Sequence, residues 1–192
     1  NMRNLSFDVE QLEKVISPLT RAIFITHVLG INGLTRELIE LSEKYSVPII
    51  EDVCESHGAT FSNKKVGSIG FASNFSFYYA HHMTTIEGGM VSTNDDELYD
   101  VLRMMRSHGM VRESLDAKTR ARYIGNHPDL NPDFIFAFAS HNMRPTELNG
   151  LLGLEQLKRL DSNNLVRTRN FRHFLSVLDS DIFQTDFKFE GS

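Results

Sequence analysis

Asp52, Glu55 and His57 crowd the end of the apolar run VPIIED, and His81 and His82 follow the aromatic run NFSFYY. Carboxylates and imidazoles hold and exchange protons, so these two clusters are the first candidates for chemistry. Each also has a plainer reading. An aspartate that ends a strand caps a helix or faces solvent as readily as it meets a ligand. A histidine after a strand is more often a satisfied structural side chain than a catalyst. No metal is expected. Adjacent histidines in an extended segment point opposite ways, and the chain has neither HExxH nor a cysteine pair. It also lacks the GxSxG of a serine-hydrolase elbow and the GxxxxGK[ST] and GxGxxG loops that cradle nucleotides.

The elements around these clusters are those of an α/β protein. Residues 7–16 place Val9, Leu12, Val15 and Ile16 on one helical face, and 22–28 (AIFITHV) read as a strand buried on both faces. Residues 33–45 are amphipathic again, and 47–52 form a second strand that ends in two carboxylates. Helix, strand, helix, strand predicts a parallel βαβ unit, whose ligands bind beyond the carboxyl ends of the strands. A hairpin is expected from 59–61 and 65–70 around the turn-like SNK, with strands at 74–79 and 89–93. Residues 94–109 read as a helix with Gly109 as its C-cap, 110–135 as loop, and 145–160 and about 163–178 as two further helices.

A chain of 192 residues can bury one good-sized core. A net charge of -5 with no basic stripe argues against nucleic acid as the main partner. The densest basic stretch, KTRAR at 118–122, reads as a solvated loop or helix face. Cys54 is the one cysteine, which rules out an internal disulfide or a cysteine-held cluster and favours a reducing compartment. No apolar run approaches the ~20 residues of a membrane helix, and NMRNLSFDVEQ lacks the apolar stretch of a signal peptide. The expected location is the cytoplasm. The chain enters an α/β pattern with no glycine-rich phosphate loop before its first strand and stops directly after a helix. It is therefore expected to be a portion of a longer protein.

Four ordered segments carry a resemblance that runs from about residue 7 to 178: IIEDVCESHGATFSNKKVGSIG, NFSFYYAHHMTTIEGGMVST, RSHG and HNMRPTELNGLLGLEQLKRL. Together they resemble the pyridoxal-phosphate-dependent sugar aminotransferase family (DegT/DnrJ/EryC-like), which has the aspartate aminotransferase fold. The resemblance implies the fold type I of these transferases, with a mostly parallel sheet flanked by helices. Residues 1–160 would be part of the large cofactor-binding domain, and 161–192 a connecting helix and the start of the small domain.

The same resemblance assigns roles. Asp52 would pair with the cofactor's pyridine nitrogen and keep the ring protonated as an electron sink. Glu55 would lie beside the ring hydroxyl, where the family usually has an amide. Ser76 would bind the phosphate, and Asn142 would reach the phosphate of a neighbouring subunit's cofactor, implying a homodimer with shared sites. Family members typically read S-F-x-x-x-K, the lysine holding the cofactor covalently. Here the run is Ser76-Phe77-Tyr78-Tyr79-Ala80-His81, and imidazole cannot form the bond that a primary amine forms.

That substitution resembles the sugar 3-dehydratase branch, in which the cofactor is untethered and cycles between pyridoxal and pyridoxamine 5'-phosphate. The implied substrate is a nucleotide-linked 4-keto-6-deoxyhexose such as GDP-4-keto-6-deoxymannose, on the colitose branch of lipopolysaccharide O-antigen biosynthesis. L-glutamate is the implied amino donor and His81 the implied catalyst. His108 in RSHG is either a second site histidine or a cation at a helix C-terminus. A related iron–sulfur dehydrase also carries histidine at this position, but its cluster needs several thiolates and the chain offers Cys54 alone. A plain sugar aminotransferase and an inactive dimerising module are the remaining alternatives.

Overall fold

The computed structural model describes residues 2–187. The last five residues of the segment expected to open the small domain, 188–192, lie outside the described residues. In chain order the elements are α1 (Val9–Val15), β1 (Ile23–Thr26), α2 (Arg36–Tyr45), β2 (Ile49–Asp52), β3 (Thr60–Phe61), β4 (Lys64–Lys65), β5 (Ala72–Ser76), β6 (Gly89–Thr93), α3 (Asp96–Met105), α4 (Ala117–Asn126) and α5 (Glu147–Val177). They fall into two compact units. One holds the residues up to Ser92 together with those from Glu147 onward, and the other spans Thr93–Thr146.

The first unit is built on a four-stranded sheet in the order β1-β2-β5-β6. β1 pairs parallel with β2, and β2 parallel with β5, as the βαβ reading requires. The register sets Thr26 beside Asp52 and Asp52 beside Asn74. Side chains alternate across a pleated strand, so these three share one face while Ile25, Glu51 and Ser73 share the other. The second face is packed. Ile23, Ile25 and Ile49 join Leu34, Leu38, Val47, Val53, Ala59 and Val66 in the core, and Val9 and Leu12 of α1 pack against it. Each fully buried aliphatic side chain contributes about 1.5–3 kcal/mol, so slipping a strand by one residue would forfeit most of this core.

Several sequence expectations need correction. β1 is not buried on both faces: Phe24 stands 53% exposed, because the core elements described here cover one side of the sheet only. β5 begins and ends before the expected 74–79, leaving Phe77 to Tyr79 in the loop beyond it. The hairpin forms with shorter strands, and Ser62 and Asn63 at its tip both adopt positive φ, the conformation of a tight two-residue hairpin turn. α5 is a single 31-residue helix where two were expected. DSNN at 161–164 looks like a break by composition, yet it holds neither glycine nor proline.

In the second unit α3 starts at a capping Asp95, whose Oδ1 accepts the Leu98 N–H at 2.7 Å. Its C-cap is Arg106, three residues before the expected Gly109. His108 takes the first left-handed position after the helix, with φ +63°. Gly109 follows at φ +78°, and a Cβ there would collide with the Phe138 carbonyl oxygen. The tract expected to be loop contains α4, which holds the KTRAR stretch. Asp116 caps it by accepting the N–H groups of Lys118 and Thr119. No residue of α4 is buried, so it lacks the apolar periodicity that would have revealed it.

Candidate active site

Glu51 and Asp52 are adjacent in sequence and opposite in environment. Glu51 is fully buried. Its carboxylate accepts N–H groups from Gly67 at 2.7 Å, Ile69 at 2.9 Å and Gly70 at 2.6 Å, and contacts His27 Nε2 at 3.2 Å. His27 Nδ1 accepts the Gly33 N–H, which leaves Nε2 to donate to Glu51. Burial pushes the Glu51 carboxyl upward. The bonds from His27 and the three backbone amides outweigh it and hold the group below the usual carboxylate range. Glu51 thereby anchors the turn at 67–70 to the sheet.

Asp52 points to the other face and is half-buried. Its Oδ1 accepts from Asn74 Nδ2 at 2.9 Å and from the Cys54 N–H at 3.1 Å, and its Oδ2 meets Thr26 Oγ1 at 3.5 Å. Burial again acts to raise the carboxyl, and the bonds from Cys54, Asn74 and Thr26 pull it below its ordinary value. Cys54 responds in the opposite sense. Burial and the neighbouring Asp52 push its thiol up to about 11. Asp52 is thus an ionised carboxylate at the carboxyl end of a central parallel strand, held without a cationic partner among the described residues.

The remaining residues of the first unit gather at the same end of the sheet. Glu55 lies three positions beyond β2, and its Oε2 accepts the Leu29 N–H at 2.8 Å, joining the loops that follow β1 and β2. Ser76 is the last residue of β5, with its Oγ accepting the Tyr78 N–H at 3.3 Å. His81 sits in the loop that follows, half-buried, with its ring edge-on to Tyr78 at 5.6 Å. His57 is buried between Phe75, Phe77 and His82, its ring centroid 5.7 Å from that of His82. Burial, then the nearby His81, lowers the His57 pKa. His82 is pushed down to about 4 by burial, then by Arg167, His57 and His81, with Glu55 opposing. Glu55, His57 and His81 therefore all lie within electrostatic reach of His82. His57 and His82 also line an open pocket with Lys65, Asn164 and Arg167.

Asn142 and His108 belong to the second unit, where they are near neighbours. Ser107 bridges to Asn142, and the His108 N–H donates to the His141 carbonyl at 2.8 Å. Asn142 is exposed, with its Oδ1 accepting from Arg144 Nε at 3.1 Å. Among the described residues no group of three or more His, Cys, Asp or Glu side chains could hold a metal ion, and no helix is long and apolar enough to cross a membrane.

Sequence reasoning missed Asn74 and Thr26, the side chains that hold Asp52. Only strand register reveals them, because they lie 22 and 26 residues from it. It also left Glu51 without a role. The signal available was the strand's alternation, which sends the two carboxylates of the ED pair to opposite faces.

An ionised carboxylate, a serine and an imidazole thus lie toward the carboxyl ends of parallel strands, the place where open α/β sheets bind their ligands. The chain belongs to the DegT/DnrJ/EryC1/StrS aminotransferase family, which it matches over residues 1–184. It is 35% identical over 175 residues to the GDP-4-keto-6-deoxy-D-mannose 3-dehydratase of Escherichia coli O55:H7, a match covering 91% of this chain and 45% of that protein. It is 34% identical over 167 residues to the GDP-perosamine synthase of Caulobacter vibrioides, covering 87% of this chain and 40% of the relative. Among solved structures, the E. coli GDP-4-keto-6-deoxy-D-mannose-3-dehydratase with bound hydrated PLP superposes with a TM-score of 0.78 at 32% identity, over 92% of this chain and 45% of that one. The chain spans about half the length of these relatives. The expected fold is met: a mostly parallel α/β sheet shared with the aminotransferase-fold enzymes.

Proposed function

We propose that this chain forms the cofactor-binding core of a pyridoxal-phosphate-dependent nucleotide-sugar 3-dehydratase. The substrate would be a nucleotide-linked 4-keto-6-deoxyhexose of the GDP-4-keto-6-deoxymannose type, with L-glutamate as amino donor. One observation carries the reading. His81 stands five residues beyond Ser76, where the resembling aminotransferases carry the lysine that binds the cofactor. The family match and the dehydratase likeness agree with it.

The side chains fit such a cofactor. Asp52 carries a negative charge kept ionised by neutral donors and would pair with a protonated ring nitrogen. Ser76 and, from a second subunit of a homodimer, Asn142 would hold the phosphate. Glu55 would lie beside the ring, and His108 would face substrate or support the site. Residues 1–160 would then belong to the large domain and 161–192 would lead into the small one. When bound as pyridoxamine phosphate, the cofactor would supply a primary amine for the C4 ketone and an electron-accepting ring for loss of the C3 hydroxyl as water.

His81 moves the proton. Imidazole can take a proton and return it near neutral pH, once to draw it from carbon and once to give it to the departing hydroxyl. Because imidazole forms no covalent imine, His81 would leave the cofactor untethered, and hydrolysis by water of the nitrogen left on the sugar would give the ketone and ammonia instead of an amino sugar.

The likeness to GDP-perosamine synthase keeps an amino-transferring reading in view. Mass spectrometry of the products from GDP-4-keto-6-deoxymannose and glutamate separates the two. A sugar lighter by one oxygen, with ammonia, supports dehydration, whereas an amino sugar overturns it. Borohydride should leave the cofactor dialysable, since no lysine stands at position 81.

A further inference from the structure

Asp52 does not use its two oxygens equally. Oδ1 takes two donors at normal lengths, Asn74 Nδ2 at 2.9 Å and the Cys54 N–H at 3.1 Å. Oδ2 has one long contact, 3.5 Å to Thr26 Oγ1. Asn74 Nδ2 carries two hydrogens, and its second partner is Cys54 Sγ at 3.2 Å. The parallel register places Asn74 directly beside Asp52, so the contact needs no displacement of either strand.

We infer that Asn74 is a positioning residue for the cofactor: it pins Asp52 through Oδ1 and leaves Oδ2 as the oxygen that accepts the ring N–H. This rests on the pyridoxal phosphate reading above. The chemistry of the clamp is selective. Arginine or lysine at position 74 would also hold the carboxylate, but would neutralise the charge the ring needs. A primary amide holds it by hydrogen bonds alone and leaves the charge for the ring. Cys54 fits the same purpose. Burial and its own hydrogen bond to Asp52 keep its thiol protonated up to about 11, so the group next to Asp52 is a neutral donor and brings no competing anion. Thr26, bonding weakly from the adjacent strand on the other side, limits the swing of Oδ2 without occupying it.

The test compares the wild-type protein with Asn74→Ala, Asn74→Asp and Thr26→Val, each checked for folding by circular dichroism and melting temperature. The first readout needs no cofactor. Carbon-13 NMR of labelled aspartate should show Asp52 of the apo-protein titrating below the usual carboxylate range in the wild type, shifting upward in Asn74→Ala and further in Asn74→Asp. Thr26→Val should barely move it. The second readout is the nitrogen-15 shift of the ring in bound pyridoxamine phosphate. The ring should lose its proton at lower pH in Asn74→Ala, with affinity about tenfold weaker, the usual effect of one charge-assisted hydrogen bond. A folded Asn74→Ala protein with an unchanged Asp52 titration overturns the clamp. A wild type that binds no pyridoxamine phosphate sinks the cofactor reading instead, and the apo-protein titration then decides the clamp by itself.

Discussion

Two rows of side chains cross the same three strands, one residue apart. The row Ile25–Glu51–Ser73 faces the core and is saturated: its carboxylate has four polar partners and no access to solvent. The row Thr26–Asp52–Asn74 faces the other way and is half-satisfied, with one carboxylate oxygen held and the other nearly bare. Among the described residues neither carboxylate is paired with lysine or arginine. The difference is one of completeness. A buried acid whose every lone pair is used is part of the scaffold, whereas an acid deliberately left one partner short can receive a ligand.

The largest effect expected from this contrast lies at the open end of the site. His81→Ala should lower dehydration by about 10²–10⁴-fold, the span of general acid–base catalysis, with the melting temperature nearly unchanged. A parallel loss of folding would move His81 into the scaffold class. Next comes the pair of carboxylates. Glu51→Ala should cost about 3–5 kcal/mol of stability in urea denaturation, because it strands the buried His27 and three half-buried N–H groups. Asp52→Ala should cost under about 1 kcal/mol while abolishing cofactor binding. Equal costs for the two would erase the distinction.

A smaller effect concerns pH. Unfolded histidine titrates near ~6.5, whereas folded His82 takes its proton only at about 4. The unfolded chain therefore binds more protons between those values. The stabilising contribution should be complete above about 6.5 and decline as pH falls toward 4, by about 2 kcal/mol after allowance for screening. Glu51, whose folded pKa is lowered, adds its own loss below the ordinary glutamate range. Denaturation curves of His82→Asn should be flatter over the upper window and unchanged over the lower. A His82→Asn curve as steep as the wild type's would return that slope to other groups. The smallest effect is at Ser73, whose Oγ donates to the Gly67 carbonyl at 2.6 Å. Ser73→Ala should cost about 1 kcal/mol and leave cofactor affinity untouched.

The βαβ unit was legible because hydrophobic period and strand length survive in sequence. Ile23, Ile25 and Ile49 announce themselves without any knowledge of the partner strand. Asp52 was legible as an acid at a strand end, but its partners were not. The 21 residues between Asp52 and Asn74 include a hairpin and a turn whose lengths decide which residue arrives opposite. α4 was hidden for the converse reason: a helix with no buried side chain leaves no periodic trace, and only Asp116 as a capping residue marks its start. The continuity of α5 was obscured by polar residues that prove to have tertiary work, since Asn164 Nδ2 donates to the His57 carbonyl at 2.6 Å.

That contact has a counterpart near the start of the same helix. Asn149 Nδ2 donates to the carbonyls of Thr85, at 3.0 Å, and Glu87, at 3.1 Å. The two asparagines are about 22 Å apart at 1.5 Å of rise per residue. α5 therefore acts as a splint, clasping the segment after His82 at one point and the segment after Asp52 at another. A rod of that stiffness makes the two loops answer to a single displacement, and hydrogen exchange should find their amides opening together.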